Sequence, residues 1–146
     1  MLNSYQTRKY LEQIEELDYK IREKLQELED AKAVAGATGG FDYSKERVKN
    51  SPSQDAMADR VVRYVDLEIK IREEGLRYLI LKNEIINQIM QISDVRYVNV
   101  LVERYVNYRS ITEIARGLHY SYDWTRHLMS RAISEFAKIL EREEKQ

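Results

Sequence analysis

The sequence predicts an all-α protein in which a long, antiparallel, coiled-coil-like helical hairpin precedes a three-helix unit ending in a helix-turn-helix. Three observations support this. Apolar residues recur at alternating four- and three-residue spacing over residues 10–35 and again over 57–92. Three of the five glycines and the single proline gather between those stretches, in residues 36–55. Residues 110–132, SITEIARGLHYSYDWTRHLMSRA, contain two helix starts separated by a short break. The expected organisation is residues 1–93 as a hairpin and oligomerisation region, with a loop at 36–55, and residues 94–146 as a helix-turn-helix domain.

In the first helix Tyr10, Ile14, Leu17, Ile21, Leu28, Ala31 and Ala35 form a seam interrupted only by Lys24, and charged residues fill most other positions. Leu11 and Leu25 widen the seam, which favours packing on more than one neighbour. The pattern stops at Gly36. The following stretch of about twenty residues lacks periodicity and is unusually long for a connection inside a compact domain.

The second helix is expected to start near Ser53 or Asp55, either of which can cap it, and to run through Ile92. It carries two apolar stripes. Met57, Val61, Tyr64, Ile71, Tyr78, Ile85, Ile89 and Ile92 form one, and Val62, Val65, Ile69, Leu76, Leu79, Ile86 and Met90 the other. A helix that is apolar on two adjacent stripes touches two partners. The first helix is one candidate and a second copy of the chain the other, a dimer being favoured. Gly75 interrupts the run at a cost of about 1 kcal/mol relative to Ala, which marks a close helix approach or a bend. Ser93 and Asp94 punctuate the chain, and residues 95–107 form a third helix with Val98, Leu101, Val102 and Tyr105 inward.

The fourth helix opens on an S-x-x-E capping box, Ser110 with Glu113. Ile111, Ile114, Ala115 and Leu118 place one apolar stripe on this short element. Ala115 sits where two steeply crossed helices need a small side chain. The pattern breaks across His119 and Tyr120, and Ser121 caps the next helix, so the connection is only about three residues. Thr125, Leu128, Met129 and Ala132 then face inward. Tyr122, Asp123, Arg126, His127 and Ser130 are left for solvent or for the groove of double-stranded DNA, and these five define the expected reading face. Trp124 is expected as a core anchor.

Charge distribution agrees with that placement. The chain as a whole carries a net charge of −1, with 24 Lys and Arg against 25 Asp and Glu. Residues 95–140 hold seven basic side chains against four acidic ones, a net +3, and the remainder carries −4. A local positive field meets phosphates and gives salt-dependent affinity. With 43% apolar residues, global disorder is excluded. The absence of cysteine excludes disulfides and thiolate metal sites, and His119 and His127 alone make no metal site. The first eighteen residues lack the apolar core of a signal peptide and no apolar run is long enough to span a bilayer, so a cytoplasmic protein with no membrane partner is expected. No nucleophilic triad, phosphate loop or convergent acid pair is present. Neither catalytic residues nor a cofactor are expected, and the protein is not expected to be an enzyme.

The run ERYVNYRSITEIARGLHYSYDWTRHLMSRAISEF resembles the fourth conserved region of bacterial sigma factors of the sigma-70 type. Leu101, Arg104, Tyr105, Ser110, Glu113, Ile114, Ala115, Leu118, Ser121, Arg131 and Ala132 match its pattern. With SPSQDAMADRVVRYVDLEIKI at residues 51–71, nearly the full length is similar to small phage and prophage proteins of Gram-positive bacteria, whose relatives by architecture include late-gene transcriptional activators. The resemblance implies promoter binding and contact with RNA polymerase. Arg109 and Ser121 join the five reading-face residues as DNA-contact candidates, and Arg131 joins them as a phosphate-facing or structural residue. One departure stands out: the turn position usually held by Gly is His119, a residue that enters the left-handed region at some energetic cost. Asp123 is the other oddity, since a carboxylate repels phosphate but accepts from cytosine N4 in the major groove.

Two other functions fit parts of the chain. A DNA-packaging protein of the small-terminase kind also joins a helix-turn-helix to a coiled hairpin, but with the DNA-binding end first. A coiled-coil interaction protein that binds no DNA uses the long helices alone.

Overall fold

The computed structural model describes residues 2–39 and 52–146. Among them the chain is helical, without a strand: α1 (Ser4–Gly39), α2 (Pro52–Met90), α3 (Val95–Leu101), a π-helical turn (Val102–Val106), α4 (Ile111–Leu118) and α5 (Tyr122–Glu144). The expected loop at 36–55 is shorter at both ends. α1 continues to Gly39 instead of stopping at Gly36, because the flanking residues AKAVAGA are rich in the strongest helix former and one glycine costs only about 1 kcal/mol. α2 begins at Pro52, whose missing N–H costs nothing in a first turn. Ser53 and Asp55 therefore lie inside the helix, and their expected capping falls outside the described side chains; the rest of the loop, residues 40–51, lies outside the described residues altogether.

By packing, the chain divides into two compact units: Met1–Asp18 with Leu79–Gln146, and Tyr19–Tyr78. This division cuts across the long helices, whereas a boundary at 93/94 follows chain order.

In the unit Tyr19–Tyr78, Lys24 Nζ lies 2.6 Å from a Glu74 carboxylate oxygen, and the Lys20 ammonium lies 5.5 Å from the Tyr78 ring centroid. Partners on α2 fall by four as positions on α1 rise by four, so the helices run antiparallel here. Lys24, which interrupts the apolar seam, is thus accommodated as an ion pair, with Glu27 as a further acceptor at 3.2 Å. Gly75 faces the same lysine: a Cβ built there would sit 3.8 Å from the Lys24 Cβ, which accounts for the glycine as a close approach. Ile71 is the one hydrophobic residue of this unit that is buried among its described residues. Leu25, expected to widen the seam, is 58% exposed, and Val62, Val65, Ile69 and Leu76 of the second α2 stripe are exposed as well. A pair of helices has one seam to bury, and the second stripe finds no cover within this unit.

In the other unit α1 starts with a reciprocal cap. Gln6 N donates to the Asn3 side-chain oxygen at 2.8 Å, and Asn3 N donates to the Gln6 side chain at 3.0 Å. Leu2 N donates to Glu141 at 3.1 Å, and Thr7 and Leu11 are fully buried. Here too the helices pair antiparallel, with the Tyr10 hydroxyl donating to Gln88 at 2.7 Å and Lys82 bonded to Asp18 at 2.6 Å. α2 ends at Met90, two residues before Ile92, in a tightened turn where Gln91 and Ile92 donate to the carbonyls three residues back. Asp94 then caps α3 through Arg96 N. The third helix differs from expectation in its last turn, which opens to π geometry as Asn107 N reaches the Val102 carbonyl at 3.0 Å. Val100 and Leu101 are its buried residues, while Val98, Val102 and Tyr105 are half-buried. α5 packs against α3 and α4 and supplies much of the core, from Thr125 through Phe136 to Leu140. Among the described residues no helix is long and apolar enough to cross a membrane.

Candidate nucleic-acid interface

The candidate surface is built on α4, its exit turn and the first turns of α5. Ser110 accepts from Glu113 N at 3.2 Å while Glu113 accepts from Ser110 N at 3.4 Å, so both halves of the capping box are made. Ile114 and Ala115 are buried and Ile111 and Leu118 half-buried, on the stripe the spacing gives. At the exit His119 takes φ 61° and ψ 38°, in the left-handed region. His119 N donates to the Arg116 carbonyl at 3.4 Å and Tyr120 N to the Ala115 carbonyl at 2.9 Å, the Schellman pattern that normally uses glycine. Three residues join the helices, and Ser121 caps α5 by accepting from Trp124 N at 3.1 Å.

Thr125, Leu128, Met129 and Ala132 are buried, with the Thr125 hydroxyl donating to the Ser121 carbonyl at 2.8 Å. Tyr122, Asp123, Arg126, His127 and Ser130 are all exposed. Ser121 is exposed too, but its hydroxyl is committed to the cap. Trp124 is not a core anchor: it is 37% exposed, and its ring lies 5.6 Å from that of His127. Thr125 holds the inward position at this end of the stripe, which leaves the indole at its border. The Arg126 guanidinium lies 5.9 Å from the Tyr122 ring centroid.

The cations on and near α3, α4 and α5 differ in their partners. Arg109 is tied to Glu103 at 2.8 Å, and its carbonyl accepts from Arg104 at 3.1 Å. Arg96 is paired with Asp94 at 2.8 Å and Lys138 with Glu135 at 3.0 Å. A phosphate would have to compete with a carboxylate at each of those three pairs. Arg116, Arg126 and Arg131 are exposed and make no ion pair among the described residues. Tyr108 and His119 are the non-glycine residues at positive φ among the described residues. They bracket α4, and the Tyr108 hydroxyl donates to Asp18.

An open cleft of about 440 Å³ cuts into the surface. Asp123, Arg126, His127, Met129 and Ser130 of α5 line it, together with Ile111 of α4 and Arg8 of α1. Sequence reasoning missed Arg8, which lies more than a hundred residues from the others in the chain. Its charge is close enough to Tyr105 to oppose the upward push that burial gives that phenol. Among the described residues no group of three or more His, Asp or Glu side chains is arranged to hold a metal ion. Compared with protein-family models, curated proteins and solved structures, the chain matches none.

Proposed function

We propose that this protein is a sequence-specific DNA-binding transcriptional regulator of the sigma-like, phage and prophage type, acting at promoters with RNA polymerase and as a homo-oligomer. One observation carries the reading. A five-residue exposed face lies on a helix whose opposite face is buried, joined by a three-residue turn with a left-handed His119 to a capped, steeply amphipathic helix, and beside it stand arginines that make no ion pair among the described residues. These are the parts of a helix-turn-helix in which α5 enters the major groove. Arg126 and His127 are its donors toward base edges or phosphates, Asp123 its acceptor toward cytosine N4, and Arg116 and Arg131 its phosphate contacts. The modest field of residues 95–140 makes affinity depend on a second copy or on the polymerase.

The test is footprinting and gel-shift on the DNA adjoining the protein's own gene, with and without RNA polymerase. Arg126→Ala/His127→Ala is expected to weaken binding tenfold or more while leaving the far-UV circular dichroism unchanged. Equal binding by the double variant removes these residues from the reading face. A coiled-coil interaction protein without DNA binding is the second reading, favoured by the uncovered apolar stripe of α2. Absence of any protected site, with or without polymerase, would decide for it.

A further inference from the structure

We propose that Arg8, on the N-terminal helix, is a DNA-backbone contact, so that the cleft between Arg8 and the Arg126–His127 edge of α5 receives one sugar-phosphate strand. The inference rests on the DNA-binding reading and adds to it an element no helix-turn-helix pattern contains.

Arg8 is exposed and makes no hydrogen bond or ion pair among the described residues. Its neighbour Lys9 differs, being bonded to Glu12 at 3.3 Å and lying 5.7 Å from the Tyr5 ring centroid. The backbone under Arg8 is held on every side. Asn3 and Gln6 cap the helix reciprocally, Leu2 is tied to Glu141 of α5, and Thr7 and Leu11 are buried. A guanidinium on so fixed a turn loses only its own side-chain freedom on meeting a phosphate, and its planar fork suits that partner.

Charge balance in the cleft makes the same point. Asp123 lies in the cleft with Arg126, so without Arg8 one carboxylate offsets one guanidinium. Arg8 turns the lining into two guanidiniums and an imidazole against one carboxylate. A phosphate seated between Arg8 and Arg126 leaves Asp123 to face a base, and the apolar Ile111 and Met129 in the lining suit the apolar side of a deoxyribose.

The experiment is a salt titration of binding by fluorescence anisotropy, with the full chain and the duplex protected in footprinting, comparing wild type, Arg8→Ala, Arg8→Lys and Lys9→Ala. Arg8→Ala is expected to reduce the slope of log K against log salt by about 0.9, the counterion release of one phosphate contact, and to do so equally on unrelated duplexes. Arg8→Lys keeps the slope, and Lys9→Ala, which removes the same charge one residue along, leaves it unchanged. An unaltered slope in Arg8→Ala, while Arg126→Ala/His127→Ala still weakens binding, overturns this proposal alone. A shift of the same size in Lys9→Ala overturns it as a general charge effect. Absence of wild-type binding to any duplex overturns it together with the DNA-binding reading.

Discussion

At the scale of single residues, His119 sets the turn between α4 and α5. Its φ of 61° satisfies the two carbonyls that α4 leaves unpaired, but an L side chain pays for that conformation with contact between Cβ and the backbone. His119→Gly removes that contact at the cost of a freer unfolded chain, and a net gain of about 0.5–1 kcal/mol is expected, read as a higher urea midpoint with unchanged m. His119→Val should lower the midpoint. Losing the cap in Ser110→Ala should cost about 1 kcal/mol by the same measurement. Such local devices are legible in sequence because donor and acceptor lie within a few residues: the Ser110–Glu113 box, the Ser121 cap and the irregular turn all appear where the residue types put them. The Asn3–Gln6 box follows the same three-residue spacing with amides in place of hydroxyl and carboxylate, a signal open to reading but easily passed over. Arg8 and the outward position of Trp124 were not legible, since both depend on which distant surface packs alongside.

At the scale of elements, the Lys24–Glu74 pair and Gly75 show how α1 and α2 fit in the unit Tyr19–Tyr78. Sequence shows a seam broken by a lysine and a helix broken by a glycine, and only their juxtaposition explains both. The Cβ that Gly75→Ala would add meets the Lys24 Cβ at 3.8 Å, an ordinary contact, so the substitution should stabilise α2 by about 1 kcal/mol, measured by thermal or urea unfolding. A bulkier residue such as Leu should reverse the sign. The ion pair makes its own prediction. A hydrogen bond from Lys24 holds the Glu74 carboxyl below its ordinary value, and bonds to Glu74 and Glu27 hold the Lys24 ammonium above its own. A depressed acid contributes stability that is present above its unfolded pKa and lost as pH falls through the folded one. A raised base contributes below its unfolded pKa and loses that contribution as pH rises through the folded value. The melting-temperature difference between wild type and Glu74→Gln should therefore be widest between about pH 6 and pH 9 and close as the solution is acidified through the carboxylate range. A difference that stays constant down to pH 3 would show that the pair is not formed.

At the scale of the whole molecule, the two α2 stripes differ in fate. The sequence announces both, but it cannot say which one α1 takes. The first stripe turns inward from Tyr64 on, with Ile71 buried and Tyr64 and Tyr78 half-buried, although Met57 and Val61 at its start are exposed, whereas on the second stripe Ile69 remains 51% and Leu76 57% exposed. Exposed aliphatic side chains at coiled-coil spacing are an unsatisfied seam, and a second copy of the same helix is apolar at the same spacing. Val65→Glu/Ile69→Glu places two carboxylates in each copy of that seam, where association would have to desolvate them against one another. Wild type is expected to be a dimer at micromolar concentration by light scattering and the double variant a monomer of unchanged helicity. On the proposed DNA-binding reading, a two-fold dimer would address half-sites about 34 Å apart or a multiple of that spacing and release counterions from both. The monomeric variant should therefore protect one half-site and bind with roughly half the salt slope of wild type. If wild type scatters as a strict monomer, the seam is not a self-interface, and the proposed DNA-binding reading would leave the modest charge of residues 95–140 to be supplemented by the polymerase alone.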